Sequence, residues 1–283
     1  MKKVFLDITP PIVWKAITRQ IERNRNRIPE WEYIPDGWDY ATTHREVRGW
    51  NVQEVLDRSI QNWQHFVLVV QGTKPLGITP EALVTTNEDV YSHNTIMSFA
   101  YALMLASWQK KQLSILDWGG GIGYYFILAK ALLPEVEIEY HVKDVSLLAE
   151  YGAILFPDAD FYSDNRYLER KYDFVLASAS LQYAQDWQTL LIDLANVSSD
   201  YLYIANLPVV KSSPSFVIIQ RPYKYGYNTE YLSWCLNQAE FLQVAERAGL
   251  ILIREFVYGH QPIIKNAPEQ NSYWGYLFKV EKK

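Results

Sequence analysis

Ile115-Leu116-Asp117-Trp118-Gly119-Gly120-Gly121-Ile122-Gly123-Tyr124 decides how the rest of this chain is read. An apolar run closes on an acid, a glycine-rich turn follows, and apolar and aromatic residues then continue. That order describes a buried strand, a tight turn and the start of a helix. The glycines at 119, 121 and 123 give the spacing D-x-G-x-G-x-G. Lacking a Cβ, glycine enters the left-handed region freely and lets a ligand press against the backbone. Amides at the start of the next helix then point at any negative or polar group placed there. The turn reads as a loop for a nucleotide-type cofactor; its plainer reading is a tight strand-to-helix connection.

The spacing separates the kinds of cofactor. A dinucleotide loop, G-x-G-x-x-G, would need a third glycine where Tyr124 or Phe126 stands. A phosphate loop needs a Lys-Ser or Lys-Thr pair after the glycines, and none follows. The segment resembles the first motif of class I S-adenosylmethionine-dependent methyltransferases. The resemblance implies an α/β, Rossmann-like sheet of seven mostly parallel strands, the last one antiparallel. It also implies S-adenosylmethionine as cofactor, with Gly119, Gly121 and Gly123 around its methionyl part and Asp117 near the amino group.

Downstream residues recur at the distances such a fold needs. Residues 124–133 are mostly apolar and helical, and Pro134 ends them. Val136, Ile138, Tyr140 and Val142 alternate with polar residues in a second strand that leads to Asp144. An acid about 20 residues past the glycines is where a ribose hydroxyl pair is held. A carboxylate accepts two hydrogen bonds at once, which suits that pair. Asp144 could equally cap the helix that begins near Ser146. A short third strand over 159–162 leads to Asp164, which the resemblance places near the adenine amino group; a turn or cap residue is the alternative. Asp158-Ala159-Asp160 also matches the D-x-D of metal-dependent glycosyltransferases.

A fourth strand over 172–177 runs into Ser178-Ala179-Ser180-Leu181-Gln182-Tyr183. The resembled family often carries Leu-His-His here, so Gln182-Tyr183 departs from it and leaves no histidine base at this point. Asp186 caps a helix over 187–196, and a fifth strand over 201–205 ends at Asn206. Asn237 and Glu240 form a capping box for a helix that Gly249 ends. The β-rich runs 250–258 and 273–280 then make a closing hairpin. These elements divide the chain into residues 1–110, a helical cap on the substrate side, and residues 111–283, the cofactor-binding domain.

In the first part, Pro10-Pro11 opens a helix to about residue 24. Residues 28–50 look like an irregular loop rich in Trp and Tyr. Asn51 and Glu54 form a capping box for a helix through His65, and Ser92 or Asn94 caps a buried helix that reaches Trp108. The stretches 116–123, 140–145 and 176–183, with Pro10-Pro11 and Trp31-Glu32-Tyr33, are similar to a narrower methyltransferase family found beside bacterial surface-polysaccharide genes. That likeness implies a place in polysaccharide biosynthesis and a sugar or sugar-nucleotide hydroxyl or amine as acceptor.

Charge and composition bound the rest. Among 283 residues, 27 Lys and Arg face 32 Asp and Glu, a net charge of −5 that disfavours nucleic acid as partner. The basic run 19–27 is interrupted by Glu22 and asparagines and reads as a solvated helix face. One cysteine, Cys235, allows no internal disulfide and suits the cytoplasm. The longest apolar stretch, 96–106, is too short for a membrane span, and Lys2-Lys3 is followed by too few apolar residues for a secretory signal.

Aromatic residues make up 15% of the chain and crowd 28–50 and 207–237. Core packing accounts for most such residues. Around a cofactor mouth they could also form a substrate lid, Tyr223 to Tyr227 being the clearest run. The catalytic candidates are His93, His260 and Tyr183, with Asn206 and Gln220 as groups that could orient an acceptor. Neither the histidine spacing nor the lone cysteine suggests a metal site. The competing class is a protein of this fold that binds a ligand and transfers nothing.

Overall fold

The computed structural model describes residues 28–79 and 88–281. The helix expected over 10–24, the Lys2-Lys3 pair and the basic run 19–27 lie outside the described residues.

The strand of the opening motif, β2 (Gln112–Trp118), sits at the centre of the sheet with Leu113, Ile115 and Leu116 fully buried. A strand covered on both faces needs an apolar middle, which Leu113, Ile115 and Leu116 supply here. In chain order, β1 (Trp31–Tyr33) and α1 (Tyr40–Thr43) are followed by α2 (Gln53–Gln71) and α3 (Val90–Ala106). After β2 come α4 (Tyr124–Leu132), β3 (Glu137–Lys143), α5 (Ser146–Leu155), β4 (Asp160–Tyr162) and β5 (Tyr172–Ser178). Then α6 (Trp187–Val197), β6 (Ser198–Val210), β7 (Phe216–Gln220), β8 (Tyr231–Asn237), α7 (Gln238–Arg247), β9 (Leu250–Val257) and β10 (Ser272–Val280) complete the chain.

Seven strands stand in the order β4-β3-β2-β5-β6-β10-β9. Those from β4 to β6 are parallel, and β10 runs antiparallel to both β6 and β9. This is the Rossmann-like sheet the sequence led us to expect. One face packs against α2, α3, α4 and α5 around Ile115, Phe174 and Tyr203. The other packs against α6 and α7 around Leu116, Val175 and Leu202.

A second, smaller sheet grows from the first. β6 outruns β5, and Val209 and Val210 pair in parallel with Leu236 and Asn237 of β8. β7 is antiparallel to β8, and β1 is antiparallel to β7. Segment 207–237, expected as an aromatic lid, is therefore largely regular strand. The irregular loop expected over 28–50 likewise supplies a strand and two short helical turns. Within β6 the register against β10 shifts opposite Gly275, and Asn206 takes φ 53° there instead of ending the strand. A bulge of this kind re-aims side chains beside a site.

Caps are redistributed too. Val52 and not Asn51 precedes α2, and it makes no side-chain cap. Asn51 instead reaches across to α5, where its Oδ1 accepts from the Leu147 N–H at 3.2 Å. Asp89, rather than Ser92 or Asn94, caps α3 by accepting from the Ser92 N–H. Only one face of α3 is buried, since Met97, Tyr101 and Met104 are exposed. Asn237, Asp186 and Gly249 act as expected: the first two accept from Glu240 and Thr189, and Gly249 takes φ 78° past the end of α7.

Candidate functional site

The glycine turn lies at the carboxyl end of β2, where open α/β sheets hold their ligands. Gly119, Gly121 and Gly123 have φ of 78°, 60° and 102°, a region closed to most side chains. Space is short as well. A Cβ on Gly119 would stand 2.3 Å from the Cβ of Ser180, and one on Gly120 would stand 2.4 Å from Asp117 Oδ2. The turn thus rests directly on the β5 loop and on its own acid.

Asp144 closes the turn from the next strand. Its Oδ2 accepts from the Gly121 N–H at 2.7 Å and its Oδ1 from the Val145 N–H at 2.6 Å. Burial raises its pKa, against these two hydrogen bonds and the neighbouring Lys143 charge. A carboxylate offers about four lone-pair sites, so two remain for a ligand.

A cavity of about 500 Å³ opens above the turn. Gly119, Gly121, Asp144 and Leu148 form one wall. Arg48, Trp50, Asn51 and Tyr183 form the other, while Ser178 and Ala179 lie beside the turn, next to the Ser180 on which it rests. Ala179 is left-handed at φ 51° and donates its N–H to Ala205 O. A left-handed alanine is strained, and strain of this sort gathers at sites of function.

The expected residues divide sharply. Gly119, Gly121, Asp144 and Tyr183 line the cavity. Gly123 instead starts α4, packed against Phe156. Asp117, expected beside a cofactor amino group, is 1% exposed and lies beneath Gly120, outside the cavity lining. Its Oδ2 accepts from the Tyr140 hydroxyl at 2.9 Å, and its Oδ1 has no hydrogen-bond partner among the described residues. Burial pushes its pKa up to about 8, opposed by the Tyr140 hydrogen bond and aided by the Asp144 charge. Asp164, expected near an adenine, is exposed and turned to Arg166, accepting from its N–H at 3.1 Å and pairing with its guanidinium.

The two histidine candidates are also elsewhere. His93 faces a separate groove with Lys74 and Met97. His260 is exposed and packs against Tyr91 and Tyr273, with centroids 4.8 and 5.4 Å away. Tyr183 donates to Gln220 Oε1 at 3.4 Å. Asn206 sits behind the wall, its Nδ2 donating to Ser178 Oγ at 3.2 Å and its Oδ1 accepting from the Thr95 hydroxyl. Gln182, in the place of a family histidine, is buried and donates to the Asn206 carbonyl. Of the Tyr223–Tyr227 run, no residue lines this cavity.

Trp50 belongs to the aromatic stretch 28–50 that sequence reasoning set around a cavity mouth; Arg48, Asn51, Val55 and Ser59, which also line the cavity from the first part of the chain, were not singled out for it. Apart from the capping pattern at Asn51, no motif marks them; their place in the lining comes from being carried against α5 and β8. Among the described residues no group of three or more His, Cys, Asp or Glu could hold a metal ion. Asp160 of the D-x-D run faces His141 at 3.1 Å. No helix among the described residues is long and apolar enough to cross a membrane.

No family model matches this chain, and the search of curated proteins found no match. Solved structures do resemble it. The magnesium protoporphyrin IX methyltransferase from Synechocystis PCC 6803 with bound S-adenosylmethionine aligns over 81% of this chain and 97% of its own, at 11% identity and a TM-score of 0.46. A SAM-dependent methyltransferase from Methanosarcina mazei aligns over 64% and 98%, at 14% identity and 0.47. The 1,6-didemethyltoxoflavin-N1-methyltransferase of Burkholderia thailandensis aligns over 69% and 82%, at 16% identity and 0.44. Likeness at this distance carries no residue's role across to this chain.

Proposed function

We propose that this chain is an S-adenosylmethionine-dependent methyltransferase acting on a small-molecule acceptor. The observation that carries the reading is the glycine turn, closed by Asp144, at one wall of a cavity of about 500 Å³ beyond the parallel strands. Gly119 and Gly121 would hold the methionyl part, and Asp144 the ribose hydroxyls through its unused lone pairs. Asp117 would act from below, fixing the turn.

When bound, the cofactor supplies a sulfonium methyl whose bonding electrons leave with sulfur. The protein's task is then to align an acceptor with that carbon and to keep water away, and alignment alone can supply much of the rate. With His93 and His260 away from the cavity, Tyr183 is the catalytic candidate that remains. Residues 111–281 would form the cofactor-binding domain and the preceding residues its cover, the whole working in the cytoplasm. Nothing lining the cavity adds support to the sugar or sugar-nucleotide acceptor, or to polysaccharide biosynthesis, implied by the narrower resemblance.

Calorimetric titration of S-adenosylmethionine and S-adenosylhomocysteine tests the reading, with Gly121→Arg and Asp144→Ala beside the wild type. Micromolar binding, lost in both variants, is expected. A folded wild type that binds neither compound overturns it and leaves a protein of this fold without methyl transfer.

A further inference from the structure

We propose that the acceptor is a flat aromatic ring system poor in hydrogen-bonding groups, laid against Trp50 beside Tyr183. This rests on reading the cavity as a joint site for cofactor and acceptor. The wall opposite the glycine turn carries the argument in three ways.

The first is the shape of its aromatic part. Trp50 stacks on Tyr231 with centroids 4.1 Å apart and planes 3° from parallel. Tyr183 meets Trp50 edge-on at 5.1 Å and 72°. One face of the indole is therefore covered, and what remains toward the cavity is its other face and edge. Rings favour rings in offset or edge-on packing.

The second is that this plane is held in place from both sides. The Gly49 N–H donates to the Glu230 carbonyl at 3.2 Å, and the Thr229 hydroxyl donates to the Gly49 carbonyl at 3.0 Å. On the other flank Asn51 caps α5. A surface fixed before binding favours a rigid, shape-matched partner.

The third is the state of the polar groups around it. Ser178 Oγ is engaged by the Tyr125 hydroxyl at 2.8 Å and by Asn206 Nδ2. Ser180 donates to the Trp118 carbonyl at 2.7 Å, and Ser59 to the Val55 carbonyl at 3.0 Å. Tyr183 is committed to Gln220. A polyhydroxylated acceptor would meet these hydroxyls with part of their hydrogen-bonding capacity already taken, and any of its own groups left unmatched there would be costly. An aromatic ring asks for no such partners.

The test uses the full chain saturated with S-adenosylhomocysteine. Saturation-transfer NMR is run with 4-quinolone as the flat probe and glucose as the polyhydroxylated one. We expect 4-quinolone to bind and glucose not to. Trp50→Phe, which keeps a plane, should weaken 4-quinolone by no more than about three-fold, and Trp50→Leu by about ten-fold or more. A cooperative thermal melt like that of the wild type shows that Trp50→Leu is folded; Tyr183→Leu, expected to weaken 4-quinolone as well, serves in its place should Trp50→Leu fail to fold. Binding of glucose, no binding of 4-quinolone to protein that holds S-adenosylhomocysteine, or indifference to Trp50→Leu in a folded protein each overturns the proposal. Failure to bind S-adenosylhomocysteine at all removes the functional reading, and this inference with it.

Discussion

The two walls of the cavity are built in opposite ways. The glycine turn and Asp144 belong to consecutive strands and meet across 23 residues of chain. The facing wall joins residues 48–51 to 228–231, about 180 residues on. The near wall is written in local conformation: left-handed glycines, a strand end, an acid. The far wall depends on long-range packing of aromatic rings on a small added sheet. Short-range geometry leaves a signature in sequence, whereas long-range packing of this kind leaves only an excess of tryptophan and tyrosine.

Substitutions can break that contrast. Gly119→Val should have the largest effect, because its Cβ would overlap Ser180 on a backbone at φ 78°. A loss of about 4 kcal/mol in denaturant unfolding is expected, with S-adenosylhomocysteine binding gone. A stable variant that still binds would show the near wall to be yielding. Asp144→Ala removes the acceptor of two backbone N–H groups and should weaken the same ligand about 100-fold, close to 2.7 kcal/mol.

Asp117 gives a pH signature. Its folded pKa is raised to about 8 from 3.8, so between those values the folded state keeps a proton that the unfolded chain has released. Its contribution is present below pH 3.8 and is lost as pH rises through about 8, at roughly 1.4 kcal/mol per unit within the window. Asp117→Asn should flatten that slope, raising the melting temperature more at pH 8 than at pH 5. Parallel melting curves for variant and wild type across this range would sink the assignment. The mildest change is Asn51→Ala, which uncaps α5 for about 1 kcal/mol and a shift of roughly 2–4 °C in thermal melting. A shift of zero would mean that the far wall does not lean on α5 at all.

The seven-stranded sheet was legible because β2 and β5 have apolar centres, β3 alternates apolar with polar residues, and each leads into a recognisable turn. The glycine turn and the place of Asp144 beside it were legible for the same reason. Asp117 was placed one layer too high: sequence gives its position at the strand end but not that Gly120 folds over it. His93 and His260 were candidates by residue type alone, and the topology takes both away from the cavity. The capping box at Asn51 fits the pattern, yet tertiary contact won, since α5 offered its own unpaired N–H groups. Tyr183 could be found because it follows β5; Trp50 was reached only as one of the aromatics in 28–50, because nothing near it in sequence shows that Tyr231 is its partner.

The tie between Gly49 and Thr229 also sets an order in time. During synthesis residues 48–51 leave the ribosome early, and their partners are roughly 180 residues behind. Long-range pairings of this kind form slowly because a large loop must close first. The turn and Asp144 are both present soon after β3 is made and Ser180 follows β5, while the far wall waits for β8. A nascent chain stopped between those points would carry a glycine turn with no opposite side, and would leave its Trp50 ring without Tyr231 to cover it.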